Sequence, residues 1–294
     1  MASQLNFEAI GTRWHIDIYE ALTSDQESVL SVAIHERIAI FDLNYSRFRA
    51  DSLVTRMAHA AGTYDMPQDF KKMHDLYKKM YEVTDGYVTP LIGQTLSDAG
   101  YDAEYSLQQR AELHTPSPWE EIMQYDHPEL VIKFPALLDF GAAGKGYLVD
   151  IVAEVIESYG IYQYCVDAGG DMVHRGGVPI KVGLEHPDNS DQVIGFVELR
   201  NNSVCGSAGN RRVWQTSKGT MHHIIDPKEL SSPTNILAVW VIADTTLLAD
   251  GLTTCLFFAS PQALREHFTF DYLIMRPDHS VEYSDNFPVT LFTQ

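Results

Sequence analysis

Cysteine is scarce. Cys165, Cys205 and Cys255 are the only three in 294 residues, far apart and with no C-x-x-C pair. That excludes a zinc half-site of paired thiols and an even-numbered disulfide framework, leaving buried free thiols as the simple expectation. Positive charge is also in short supply, 21 Lys plus Arg against 40 Asp plus Glu, for a net charge of −19. Such a field repels nucleic-acid phosphates and anionic headgroups, so nucleic-acid binding is not expected. No run approaches the roughly 18 uninterrupted apolar residues of a membrane span. Met1 to Glu8 has neither the basic nor the apolar region of a leader. The expectation is a protein without a membrane span, cytoplasmic as written, or exported or lipid-anchored if a leader has been removed.

What is present is enough apolar material, 45%, to bury a sizeable core. A single domain over 1–294 is expected. Val29, Leu30, Ala33, Ile34, Ile38 and Phe41 recur at three-and-four spacing and predict a helix over 24–41. A second is predicted over 68–83, entered after Pro67. Residues 86–126, punctuated by Pro90, Pro116 and Pro118, read as loops and short turns. Short β-rich runs follow at 130–134, 137–140, 193–199 and 236–243, interrupted by helices at 147–159 and 247–258. This irregular alternation, with hairpins, predicts an α+β fold, not a doubly wound parallel sheet.

Four segments carry chemistry. Leu138 to Tyr147 reads as a strand that breaks into small residues and enters an amphipathic helix. A phosphate can approach such a backbone, and free N–H groups at the helix start, with Lys145, would neutralise it. Neither the Walker A spacing nor G-x-G-x-x-G is met, and a plain strand-to-helix turn explains the segment equally well. Asp250 and Thr254, four apart on a helix, put a carboxylate and a hydroxyl on one face, a hard-oxygen pair suited to Mg²⁺. A solvated Asp beside a packed Thr is the bland alternative. His222 and His223 alternate to opposite faces of a predicted strand, so only one can face a site, where a histidine could accept a proton from a hydroxyl. Asp167-Ala168-Gly169-Gly170-Asp171 sets paired glycines between acids, and could be merely a turn.

In this order the segments resemble the ApbE-type FAD:protein FMN transferase family. The resemblance runs from Ala9-Ile10-Gly11-Thr12 through Ser46-Arg47-Phe48, Thr89-Pro90-Leu91-Ile92 and Gly100-Tyr101-Asp102. It continues through Asp139 to Asp150, Asp167 to Asp171, His223 to Pro227 and Ala249 to Thr254. It implies an ApbE-like (T-fold-like) α+β fold of largely antiparallel sheets packed with helices. Carried over by position, it implies that Asp139 and Lys145 contact FAD and that the Ala142 carbonyl, Asp250 and Thr254 hold Mg²⁺. It further implies that Ile10, Phe48, Gly100, Tyr101 and Ile225 line the flavin nucleotide, and that His223 matches the family's strand histidine. Two departures stand out: Lys228-Glu229-Leu230 follows the His-Ile-Ile-Asp-Pro stretch where a basic residue, Thr and Gly are usual, and Gly144 stands where Ala is usual.

The implied reaction is attack of a Thr or Ser hydroxyl of an acceptor flavoprotein on the FMN-side phosphorus of FAD, with release of AMP. His223 and Asp250 are the candidate catalytic residues. A cation also answers the acidity of the chain, which must otherwise hold a diphosphate against its own −19 field. Water in place of the acceptor would make the same site a Mg²⁺-dependent FAD pyrophosphatase. A non-catalytic flavin-binding protein would not need Asp250 and Thr254.

Overall fold

Strand Ala238–Ala243 is buried at every position, and its alternating side chains belong to two different cores. Val239, Val241 and Ala243 pack on a helical layer, while Ala238, Trp240 and Ile242 pack on a second, smaller sheet. That is the period-two logic of a strand covered on both faces. It lies within an eight-stranded sheet whose order is Ser3–Ala9, Thr12–Ile18, Tyr164–Ala168, Met172–Arg175, Ser203–Ala208, Ala238–Ala243, Asp271–Met275 and Val281–Tyr283. Every neighbouring pair is antiparallel. The fold is α+β, as the irregular alternation predicts. This computed structural model describes residues 3–210, 212–216 and 219–292, so Met1 and Ala2, where the search for a leader began, lie outside it.

The helical layer contains Ser24–Tyr45, Gly144–Ser158 and Thr246–Cys255, and also Phe70–Val83. Thr23 opens the first helix with a reciprocal capping box to Gln26, and Leu30, Ile34, Ile38, Phe41 and Tyr45 form its buried stripe. Val29, expected on that stripe, is 54% exposed, because it sits one position off the Leu30–Ile34–Ile38 row. The opposite face of the main sheet is covered by a three-stranded sheet of Ile180–His186, Asn189–Leu199 and Val289–Leu291. A third cluster, with Leu96, Tyr101, Trp214, Met221 and Ile225 at its centre, joins the segment after residue 90 to hairpin Val213–Thr216/Gly219–His222.

Two expectations need correction. Residues 137–140 form no strand: the Asp139 N–H donates to Pro90 O at 2.7 Å, tying the chain to a turn and not to a ladder. The stretch 86–126 is more ordered than its prolines suggest, containing a 3₁₀ turn at Pro90–Ile92, helices Gly93–Asp98 and Trp119–Ile122, and strand Met123–Asp126. Here proline starts elements as well as breaking them, since its fixed φ and missing N–H suit the first turn of a helix. Among the described residues no helix is long and apolar enough to cross a membrane. The three cysteines are buried and unpaired, and burial pushes the Cys165 thiol up to about 12.

Candidate functional site: a cleft between the helical layer and the sheet

The helices Gly144–Ser158 and Thr246–Cys255 meet at Gly146. A Cβ built there would lie 2.2 Å from the Thr246 carbonyl oxygen and 2.6 Å from Asp250 Cβ, so only glycine allows the approach. The contact is closed by hydrogen bonds. Gly146 N–H donates to Asp250 Oδ2 at 2.9 Å, and Asp150 accepts from Thr246 N–H at 2.9 Å and Leu247 N–H at 2.8 Å. Asp150 thereby caps the partner helix, meeting donors that a helix start leaves unsatisfied.

Next to this junction Lys145 is ion-paired with Asp171, which is 1% exposed. Asp171 is delivered by the Asp167–Asp171 turn. Gly169 and Gly170 both have positive φ, and the Gly170 N–H donates to Asp167 Oδ1 at 2.8 Å. That turn is therefore part of the site's support. Burial alone would lower the Lys145 pKa, but Asp171 and Asp250 outweigh it and hold the ammonium above its ordinary value. Burial, helped by the Asp171 charge, pushes the Asp250 carboxyl well above the carboxylate range, with Lys145 opposing.

Lys145 and Asp250 open onto a cleft of about 1300 Å³, above the roughly 300–1000 Å³ common for small-molecule pockets. Its lining includes Asp139, Ala142, Lys145, Asp250 and Thr254, and also Ile10, Phe48, Tyr101, His223 and Ile225. Ile10 sits in the two-residue hairpin turn with Gly11 at φ 46°, a left-handed conformation that a β-branched residue rarely adopts. Thr254 faces the cleft, whereas its neighbour Thr253 is buried against Ser207 at 2.8 Å. Gly100 is not on the lining. Its φ of +104° and the 2.6 Å separation between a built Cβ and Gln108 N make it a turn residue that seats Tyr101. His223 lies one residue beyond strand Gly219–His222 and lines the cleft, while His222 is buried with its Nε2 against Pro233 O at 3.1 Å.

Several of the helix-start N–H groups expected for a phosphate are already bonded within the chain. Gly141 N–H donates to Asp139 Oδ1, Gly144 N–H to Phe140 O, and Gly146 N–H to Asp250. Side-chain cations are available instead. Arg47, expected only as part of a motif, donates from Nε to Asp139 Oδ2 at 2.5 Å. Its guanidinium lies 4.2 Å from the Phe48 ring centroid and its buried Nη2 has no partner. Tyr105, also missed, stacks on Phe48 at 5.2 Å. An arginine beside an aromatic residue was the signal that marked this corner.

A buried acid crowded by a second acid, near a hydroxyl and a main-chain carbonyl, suits a hard divalent cation, which takes oxygen donors and relieves the excess negative charge. Asp250 is such an acid, and Thr254 and Ala142 line the same cleft.

Fold and cleft together define a mostly antiparallel α+β scaffold with one deep nucleotide-sized site. The same scaffold is found in the ApbE protein of Thermotoga maritima, which superimposes with a TM-score of 0.82 over 97% of both chains at 20% identity. The chain belongs to the ApbE family, whose sequence model matches residues 10–271. It is 25% identical over 296 residues to the FAD:protein FMN transferase of Salmonella typhimurium, covering 90% of this chain and 81% of that one. It is 26% identical over 304 residues to the FAD:protein FMN transferase of Klebsiella pneumoniae, covering 94% and 85%.

Proposed function

We propose that this protein transfers the FMN moiety of FAD to a Thr or Ser hydroxyl of an acceptor protein, leaving a phosphoester and releasing AMP. The observation that carries the reading is the convergence on a single cleft of Lys145, Asp139, Ala142, Asp250, Thr254 and His223 from three separate parts of the chain. In the reaction the acceptor oxygen bonds to the FMN-side phosphorus and loses its proton, while the bond from that phosphorus to the AMP phosphate breaks.

Asp250, Thr254 and the Ala142 carbonyl would hold Mg²⁺, which when bound supplies charge neutralisation at the diphosphate. Lys145, kept charged and fixed in place by Asp171, balances charge that builds on the departing phosphate. Arg47 lines the same cleft and adds a second cationic group to it. His223, on the lining, takes the hydroxyl proton. Phe48, Tyr101 and Tyr105 form an aromatic corner suited to a flat ring system.

Incubation with FAD, Mg²⁺ and a flavinylatable acceptor domain should give in-gel fluorescence on the acceptor and stoichiometric AMP. Asp250→Ala should abolish both while FAD still binds. FMN without labelled acceptor would instead establish a pyrophosphatase, and neither product would overturn the reading.

A further inference from the structure

A second group of metal-ligating side chains lies outside the residues assigned to catalysis. The hairpin joining Ile180–His186 to Asn189–Leu199 turns at Pro187–Asp188, and the strands Asp271–Met275 and Val281–Tyr283 are joined through His279. The two turns meet. His186, Asp188 and His279 each present one ligand atom, all within 4.8 Å of one another. His279 Nε2 is 3.0 Å from Asp188 Oδ2, and the two imidazole rings stand edge to face at 5.6 Å. His186 Nδ1 accepts the Asp188 main-chain N–H at 3.1 Å, a hydrogen bond that an ion at this nitrogen would replace. Register shifts on either side of Glu185 re-aim this end of the hairpin.

From this juxtaposition we infer that the two turns form a site for one divalent first-row transition ion of the Zn²⁺ type, held by His186, Asp188 and His279. Two imidazoles and a carboxylate select such an ion over Mg²⁺, which prefers an all-oxygen shell. Tetrahedral Zn²⁺ at about 2.0–2.1 Å needs ligand atoms about 3.3 Å apart. Small side-chain rotations reach that spacing, since Asp188 and His279 are about half exposed. Water would complete the shell. The ion would clasp two turns that are otherwise joined by the exposed Asp188–His279 ion pair and the His186–His279 ring contact. Its place matters because Pro187 and Glu185 line the flavin-sized cleft and Asn210 donates to the Pro187 carbonyl. The clasp would therefore fix part of the cleft's rim, whatever the cleft binds.

The test is calorimetric titration of the full chain with ZnCl₂ in excess MgCl₂, paired with thermal melts. One Zn²⁺ per chain is expected, together with a rise in the melting midpoint. His279→Asn retains a residue that tolerates the left-handed φ of 65°, and His186→Gln retains a polar side chain. Each should weaken Zn²⁺ binding about tenfold or more, whereas Asp250→Asn should leave it unchanged. The inference is overturned if the parent chain binds no Zn²⁺, or if both folded histidine variants, checked by circular dichroism, bind it as the parent does.

Discussion

Gly146 and Asp250 are bonded across a helix pair, N–H to carboxylate at 2.9 Å, at a point where even a methyl group would overlap the Thr246 carbonyl. Asp250, on the lining of the cleft, is thus positioned by the one residue type that lets its neighbour helix come close enough. Gly146→Ala must push the helices apart. A loss of about 1–3 kcal/mol in stability is expected from overpacking, measurable by urea unfolding. The accompanying fall in FMN transfer should exceed tenfold even at temperatures where the variant is folded, because Asp250 loses its N–H and its placement.

Arg47 and Asp139 are a buried pair, with the Arg47 side chain 2% exposed. Removing one partner leaves an uncompensated charge inside the protein, so Arg47→Met should cost about 3 kcal/mol. Asp139 also accepts the Gly141 N–H at 2.7 Å, holding the bend that leads to Lys145. Unfolding of Arg47→Met, Asp139→Asn and the double variant should show the double change costing clearly less than the sum. Strict additivity would mean that the pair contributes nothing as a pair.

Leu230 holds its turn position at φ 52°, in the left-handed region that favours glycine. The Asp226 carboxylate accepts the Lys228 and Glu229 N–H groups at 2.8 and 3.0 Å, so the turn closes without glycine. A left-handed non-glycine residue costs roughly 1–2 kcal/mol, and glycine gives back roughly 0.5–1 kcal/mol through chain entropy. Leu230→Gly should therefore stabilise the protein by about 0.5 kcal/mol, read as a small rise in the thermal midpoint with transfer activity unchanged.

The parts of the site that could be read from the chain were those carried by local spacing. Asp250 and Thr254 sit four apart on a helix, and Lys145 follows a run of small residues, so both segments announce themselves. Long-range partners did not. Asp171 looks like an ordinary turn acid until the fold sets it on Lys145, 26 residues away, and Arg47 gains its meaning only from Asp139, 92 residues away. Gly100 was misplaced for the converse reason: the backbone needs its positive φ, and the neighbouring Tyr101 supplies the surface. Of the helix-start N–H groups, those of Gly141 and Gly144 are taken up by nearby Asp139 and Phe140, whereas that of Gly146 finds its acceptor in Asp250, 104 residues away. The prolines near residue 90 misled because the same residue that ends one helix can begin another.

Strand Ala238–Ala243, sheltered on both sides, runs within three residues into the Thr245-capped helix that carries Asp250. Regions of this kind open only when the whole molecule opens. Backbone amides from Val239 to Leu252 should therefore be among the last to take up deuterium, while those at the hairpin turns exchange early. The Asp250 carboxylate is thus rooted, through its helix, in a strand sheltered on both faces, and the turns at the cleft's margin are the parts left to move first.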